Sequence, residues 1–283
     1  MDRNKHKWIA GAGLAAGLVL LDALVLEQYL FTVKQFDIGN KHSRSRPCRM
    51  VLLTDLHLGK RLAPKYIRLI RRIKKLNADI ILFAGDAIDE DGDTRTLDDF
   101  FSRLPATIPK VAILGNHEYK NEAGLDELKA LYKKHHIDLL INGSKAYPIG
   151  SKRLMVTGLN DFIESTQNFS KAIEGVGKED MHIALIHSPL QQEKLLAQIK
   201  ATNQSRPGDQ KLNIEYLFAG HNHGGQVTFF GLFPLLLPIK SGDYVNGWYN
   251  DNKPYLYVSK GFGNSTVPFR FGARAEMIVF NYY

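Results

Sequence analysis

Five times along this chain a short apolar run stops at a polar cluster. "CRMVLLTDLHLG" runs into Asp55 and His57, "ADIILFAGDAID" into Asp86, and "KVAILGNHEY" into Asn116 and His117. "MHIALIHSP" ends at His187, and "EYLFAGHNH" at His221 and His223. Continuous apolar runs of this length predict strands buried on both faces. Amphipathic segments lie between them. "APKYIRLIRRIKKLNAD" sets Ile67, Ile70, Ile73 and Leu76 on one helical face, and "TLDDFFSRL", "NEAGLDELKALYKKHH" and "SPLQQEKLLAQIKATN" read the same way. Strands alternating with helices predict an α/β fold. The tail departs from this rhythm. "QVTFFG", "KPYLYVSK" and "AEMIVFNYY" are strand-like and are separated by turns, a pattern suited to closing a second sheet against the first.

The start of the chain differs again. The basic "MDRNKHK" leads into "WIAGAGLAAGLVLLDALVLEQYLF", whose clean apolar part from Trp8 to Leu21 is interrupted by Asp22 and by Glu27. A spanning helix wants about 20 apolar residues. Asp22 is costly in lipid, but it stands near one end of the run, where water is closer. The segment reads first as an uncleaved membrane anchor, with a signal peptide or a helix packed on the domain as alternatives. No convincing small-x-small cleavage site follows it. Basic residues flank both sides (Arg3, Lys5 and Lys7 before, Lys34, Lys41, Arg44 and Arg46 after), so the side of the membrane stays open. A basic linker, "GNKHSRSRP", ends at Pro47. Residues 1–47 are therefore read as anchor or signal segment plus linker, and 48–283 as the folded domain.

Composition adds limits. A chain of 283 residues with 44% hydrophobic and 23% charged residues is ordinary globular protein with room for a sizeable core. Its one cysteine, Cys48, excludes an intramolecular disulfide and a thiolate zinc site. The net charge of +8 favours acidic partners, either phosphate-bearing molecules or an anionic membrane surface.

In open α/β sheets, ligands bind beyond the carboxyl ends of strands. The five run-ends thus converge on one site holding Asp55, His57, Asp86, Asn116, His187, His221 and His223. Imidazole with carboxylate suits manganese, zinc or iron, and the absence of cysteine argues against a closed structural site. Seven ligands are too many for one tetrahedral ion; they suit two ions sharing a carboxylate. Gly85, Gly115 and Gly220 each precede a ligand, where the backbone turns sharply and a Cβ would obstruct.

The series "DLH", "GDAID", "GNHE", the histidine of "IHSP" and "GHNH" resembles the calcineurin-like metallophosphoesterase family from about Met50 to the C-terminus. The resemblance implies a two-sheet β-sandwich flanked by helices, and two divalent metal ions bridged by an aspartate and a hydroxide. Asp55, His57 and His223 would hold one ion and Asn116, His187 and His221 the other, with Asp86 bridging. His117 would face the substrate as the catalytic side chain, steadying a phosphoryl oxygen or protonating the leaving group. The bridging hydroxide would attack in line. The tail "YVSKGFGNSTVPFRFGARAEMIVF" resembles exported or membrane-anchored bacterial phosphodiesterases, though the twin-arginine signal of some members is absent. A related branch cleaves the pyrophosphate of UDP-2,3-diacylglucosamine.

Other features read less sharply. His135 and His136 end a lysine-rich helix, and His182 starts a strand; all three are read as structural. Asp89 is read as a turn or supporting carboxylate. The basic face of Arg68, Arg71, Arg72, Lys74 and Lys75 is either solvated or directed at lipid headgroups. The apolar "TFFGLFPLLLPI" is either a loop packed on the core or a wall that enters a bilayer or holds an acyl chain. Arg270 and Arg274 are candidates for substrate phosphate or for surface pairing. The function expected is a membrane-associated phosphoesterase acting on a phosphodiester or pyrophosphate, with a broad phosphomonoesterase as alternative. Retention of all seven ligands argues against a non-catalytic scaffold such as the retromer subunit that resembles this family. Without a basic–aromatic stripe, no nucleic-acid partner is expected.

Overall fold

The computed structural model describes residues 3–40, 46–265 and 267–283. Its strands, in chain order, are β1 (Thr32–Ile38), β2 (Cys48–Leu53), β3 (Ile80–Ala84), β4 (Lys110–Ile113), β5 (Ile137–Leu139), β6 (Gly143–Ile149), β7 (Lys152–Gly158), β8 (Met181–Leu185), β9 (Tyr216–Ala219), β10 (Thr228–Phe229), β11 (Phe233–Pro234), β12 (Gly247–Tyr249), β13 (Tyr255–Val258) and β14 (Glu276–Tyr282). One six-stranded sheet runs β1-β14-β2-β3-β4-β5 and a second runs β12-β13-β9-β8-β7-β6, while β10 and β11 form a separate hairpin. The four strands β2 and β3 to β5 are mutually parallel, as are β7, β8, β9 and β13.

The two sheets pack face to face. Met50, Leu52, Ile80 and Leu82 of the first meet Val156, Ile183, Phe218 and Tyr257 of the second. Phe218 and Phe280 stack with ring centroids 4.4 Å apart. Side chains of a strand alternate between faces, so Val51, Leu53, Ile81 and Phe83 point the other way. There they are covered by Leu69, Ile70, Leu97, Phe100, Leu128 and Tyr132 from three helices, Pro64–Lys74, Thr94–Ser102 and Leu125–Lys134. The outer face of the second sheet is covered by Phe169, Leu195 and Ile199. Helix, sheet, sheet, helix is the two-sheet sandwich expected. It explains the continuous apolar runs, since each central strand is buried on both sides.

Two local expectations change. The buried face of the Pro64–Lys74 helix is Tyr66, Leu69, Ile70 and Ile73, with Ile67 and Leu76 at its margin. Tyr66 turns inward because its hydroxyl donates to the Leu56 carbonyl at 2.6 Å. The first sheet also takes its edge strand, β1, from upstream of Cys48, pairing Thr32 with Glu276 through to Ile38 with Tyr282. Composition alone assigns this stretch to the N-terminal segment. The helix before it covers Arg3–Leu21, passes through a π turn at Asp22–Leu26 and ends at Tyr29. The 18 residues Lys7–Leu24 are long and apolar enough to cross a membrane by length and composition, and only 7% of that window is buried.

Candidate metal centre

The site is made by what happens where strands stop. Asp55 and His57 follow β2, Asp86 follows β3, Asn116 follows β4, His187 follows β8, and His221 and His223 follow β9. Five of these residues take left-handed backbone angles: φ is 50° at Asp55, 44° at His57, 52° at Asp86, 67° at His221 and 51° at His223. Such conformations cost roughly 1–3 kcal/mol each at non-glycine residues and cluster at functional sites. They swing side chains off the strand axes into one volume. The preceding glycines make room. A methyl group on Gly115 would strike the Asp86 carboxylate, and one on Gly220 the Asp55 carboxylate.

Hydrogen bonds lock the turns together. His221 N–H donates to Asp55 Oδ1 at 2.8 Å, and His117 N–H to Asp86 Oδ1 at 2.9 Å. Buried Glu118 accepts from the backbone N–H groups of Asp86 (3.0 Å), Ala87 (2.6 Å) and Gly115 (2.8 Å). One carboxylate thus ties the β3 turn to the β4 turn. Sequence reading assigns Glu118 no role, because its work is visible only once both turns are in place.

All seven expected ligands are buried and converge. Asp55, His57 and His223 form one group with ligand atoms within 4.8 Å of one another, Asp86, His187 and His221 form a second, and His57 also groups with Asp89 and His117. Asp86 joins them: its Oδ2 lies 3.6 Å from His57 Nε2 and 3.2 Å from His187 Nε2. Asn116 Oδ1 stands 3.2 Å from the same His187 nitrogen. The His57 and His223 Nε2 atoms face each other at 3.0 Å.

The donor chemistry fits a divalent metal. His187 Nδ1 is 3.0 Å from the Ala84 carbonyl, and His221 Nε2 is 2.9 Å from the Ile239 carbonyl. A carbonyl can only accept, so each ring's N–H points there and its other nitrogen offers a lone pair to the site. Buried Asp55 Oδ2 accepts no hydrogen bond from the described residues. Burial, reinforced by the His187 charge, pushes His221 down to about 3. Burial, then His57 and Arg270, hold His223 well below its ordinary range. Burial raises the Asp86 carboxyl, but His187, His117 and His57 outweigh it and bring it well below the usual carboxylate range. Neutral imidazoles and an ionised carboxylate are the ligating forms. His187 departs from this without a cation: burial works against its protonation, but Asp86, Asp55 and Asp161 outweigh it and raise it well above its ordinary range, so a bound metal would displace its proton.

His117 stands beside this set. Its Nδ1 is 2.9 Å from Asp89 Oδ1, and its Nε2 is 4.0 Å from Asp86 Oδ2. Burial works against protonation of His117, but Asp89 and Asp86 prevail and raise it. Asp89 therefore supports His117, and it also lies 3.5 Å from His57 Nδ1. An open cleft of about 610 Å³ lies over these residues. One wall is polar, with Asp89, Asn116, His117 and Lys120; the other is Leu237, Pro238 and Ile239.

Neither arginine reaches this cleft as a phosphate ligand. Arg270 is fully buried and donates to the carbonyls of Gly263 (Nε, 2.9 Å), Lys260 (3.0 Å) and Ala273 (2.8 Å), while its Nη2 lies 3.0 Å from His223 Nδ1. It is a clasp behind a ligand. Arg274 pairs with Asp22 at 3.7 Å. Of the remaining histidines, His182 is buried 2.8 Å from Thr157 Oγ1, and His135 meets Asp98 at 2.5 Å; both are structural.

The family model for calcineurin-like phosphoesterases matches residues 48–225. The chain belongs to this family. Its metallophosphoesterase membership makes it a metal-dependent phosphoester hydrolase, and the clusters at the strand ends are candidate ligand groups for a divalent metal. It is similar to "Uncharacterized metallophosphoesterase YkuE" of Bacillus subtilis, 27% identical over 82% of this chain and 78% of YkuE. A Campylobacter jejuni metallophosphoesterase, Cj0846, is 28% identical over 88% of this chain and 62% of its own length. The bovine "Transmembrane protein with metallophosphoesterase domain" is 26% identical over 81% of this chain, which spans about half (51%) of it.

Proposed function

We propose that this phosphoesterase uses two metal ions to cleave a phosphodiester or pyrophosphate bond, and that its N-terminal helix holds it at a membrane. The observation that supports two ions is the position of Asp86. One carboxylate oxygen serves both histidine groups, at 3.6 and 3.2 Å. Asp55, His57 and His223 would hold one ion, and Asn116, His187 and His221 the other. Manganese, zinc and iron all suit this mixed set. Bound divalent ions neutralise phosphoryl oxygens and lower the pKa of a water nucleophile.

The chain's own residues supply the rest. With Nδ1–H directed at Asp89, His117 presents Nε2 to the cleft, where it protonates the departing oxygen. Asp89 stabilises the ring's positive charge before that transfer. The acidic cleft rim favours a diester monoanion over a monoester dianion. Glu90 and Asp91 line it, and Lys120, its cationic side chain, is already paired with Glu90 at 3.4 Å and Glu164 at 3.3 Å. Membrane association is supported by the Lys7–Leu24 helix and by the name of the bovine relative.

The test is turnover by the manganese-loaded full chain on bis-p-nitrophenyl phosphate, p-nitrophenyl phosphate and UDP-2,3-diacylglucosamine. Diester or pyrophosphate cleavage should exceed monoester cleavage. Asp86→Ala should lose at least about 1,000-fold in turnover together with bound metal, and His117→Ala about 100-fold with metal retained. A preference for the monoester would favour the broad phosphomonoesterase. Unchanged turnover in Asp86→Ala would end the two-ion reading.

A further inference from the structure

The segment after the metal-binding "GHNHGGQ" carries no charged residue from Val227 to Ile239. Eight of its large apolar side chains are exposed: Phe229, Phe230, Leu232, Phe233, Leu235, Leu236, Leu237 and Ile239, with Leu232 at 77% and Ile239 at 71%. A patch of this kind on a water-soluble surface marks an interaction site. The segment is too short to span a bilayer. The strands β10 and β11 close it into a hairpin, with Thr228 opposite Pro234 and Phe229 opposite Phe233.

What covers the hairpin follows from where it is fastened. Thr228 N–H donates to the Phe271 carbonyl at 2.8 Å, and the Phe230 and Phe271 rings meet edge-on at 5.5 Å. The next residue along, Gly272, donates its N–H to Glu27 Oε1 at 3.1 Å, and Arg274 pairs with Asp22. One loop, Phe271 to Arg274, therefore carries both the apolar hairpin and the foot of the apolar N-terminal helix. A third element meets the same foot, since Arg68 donates to the Tyr29 carbonyl. Its neighbours Arg71 and Arg72 are exposed, as suits a surface facing anionic headgroups. Apolar wedge, spanning-length helix and basic flank share one base.

The hairpin is also joined to the chemistry. Its return leads into Leu237, Pro238 and Ile239, the apolar wall of the cleft. Ile239 accepts from His221 at 2.9 Å, and two residues later the Ser241 carbonyl accepts from Asn222 at 3.1 Å. We propose that the 228–239 hairpin docks into the phospholipid leaflet that the N-terminal helix enters, so that the metal cleft opens at headgroup level onto a phosphoester carried by an amphiphile. The docking half stands on the hairpin and helix alone; the substrate half rests on the phosphoesterase reading. Apolar chain lies against Leu237 to Ile239, and phosphate lies against the histidines.

The experiment uses the full chain in vesicles of phosphatidylethanolamine and phosphatidylglycerol. A nitroxide is placed at Leu232→Cys, with Asp126→Cys as the aqueous reference and Leu14→Cys as the bilayer reference; buried Cys48 is replaced by alanine in all three. Docking predicts that the label at 232 is quenched by oxygen and shielded from a water-soluble nickel chelate, at a depth of about 5–10 Å. Chelate access equal to that at 126 overturns docking, as does spin–spin broadening that shows a second copy on the hairpin. In the second arm, Leu232→Glu with Leu235→Glu should leave bis-p-nitrophenyl phosphate turnover unchanged. Turnover of hexadecyl p-nitrophenyl phosphate in the same vesicles should fall at least about tenfold, through KM. Equal loss on both substrates overturns the amphiphile assignment. If the unaltered protein cleaves neither ester, the phosphoesterase reading fails, while the depth measurement still decides docking.

Discussion

The metal centre and the hairpin behind it are adjacent in sequence and depart from ordinary packing in opposite senses. Seven polar ligands between the strand ends are buried, and eight apolar side chains a few residues later are exposed. Buried polar atoms are costly unless they are partnered. Around the ligands the protein supplies partners for the outward nitrogens, such as the Ala84 and Ile239 carbonyls, and leaves the inward atoms facing one another. That is the arrangement of a site waiting for charge. The hairpin is internally simple, with two paired strands and stacked Phe229 and Phe233 rings 5.3 Å apart. Among the described residues, its apolar surface meets little beyond Phe271 and stays exposed. On the proposals above, one region is completed by a cation, and the other by an apolar solvent.

The comparison breaks most easily at the glycines. If the ligand geometry is set by room at the strand ends, Gly115→Ala should damage the site far more than any single change on the hairpin. The added methyl meets the Asp86 carboxylate, the Asp86 backbone N at 2.7 Å and the His187 ring at 2.7 Å. The expected outcome is a loss of roughly 100-fold in metal affinity and turnover. Isothermal titration of the apo-protein with manganese, alongside diester turnover, checks it. A change of less than threefold would mean that the turns adapt freely and that the left-handed residues do not hold the ligands.

Arg270 sharpens the same contrast, because it is the clasp that keeps a ligand turn closed. Arg270→Met removes donors from the carbonyls of Gly263, Lys260 and Ala273 and from His223 Nδ1. Leaving such buried acceptors unpaired costs on the order of 3 kcal/mol in unfolding free energy. Denaturant titration should register that loss, and manganese affinity should weaken about tenfold as His223 loosens. Arg270→Lys should recover little of either, since an ammonium cannot reproduce the planar fork. Full recovery with lysine would show that charge, rather than geometry, is what the site needs.

How much of this was legible beforehand depends on what fixed each residue. The convergence of the seven candidate ligands could be read because metal chemistry admits few residue types and strand ends bring them to one edge. The layered core could be read because its central strands are apolar on both faces. The strand β1 could not: "TVKQFDI" lies at a sheet edge, alternates exposed and half-buried positions, and carries Lys34 and Asp37. Arg270 was misread for a different reason. An arginine near a phosphate site is equally good at holding anions or carbonyls, and only the closure of the Gly263–Ala273 loop around it decides. The apolar character of "TFFGLFPLLLPI" was plain, but its exposure was not. The same letters serve as core wherever the chain provides a partner surface.

The smallest expected effect concerns a buried charge that neither a metal nor a carboxylate accounts for. Lys65 lies under the metal edge with its Nζ 3.4 Å from the Phe262 carbonyl and 5.2 Å from the centre of the Tyr66 ring. Burial, helped by repulsion from Arg270, pushes its pKa down to about 7. The unfolded chain keeps an ordinary value near 10.4. Between those values the unfolded state binds more protons than the folded one, so stability should rise with pH from about 7 toward 10 and be lost below 7. Over two pH units the gain is at most about 2.7 kcal/mol by that linkage. Tyrosine ionisation in the unfolded chain opposes it above about pH 9.5, so the useful window is pH 7 to 9. Lys65→Met should flatten the rise in Tm across that window while leaving diester turnover within twofold. A Tm profile as steep in the variant as in the parent would show that Lys65 keeps its proton by reaching water, and that buried polarity at this edge is confined to the metal ligands and their supports.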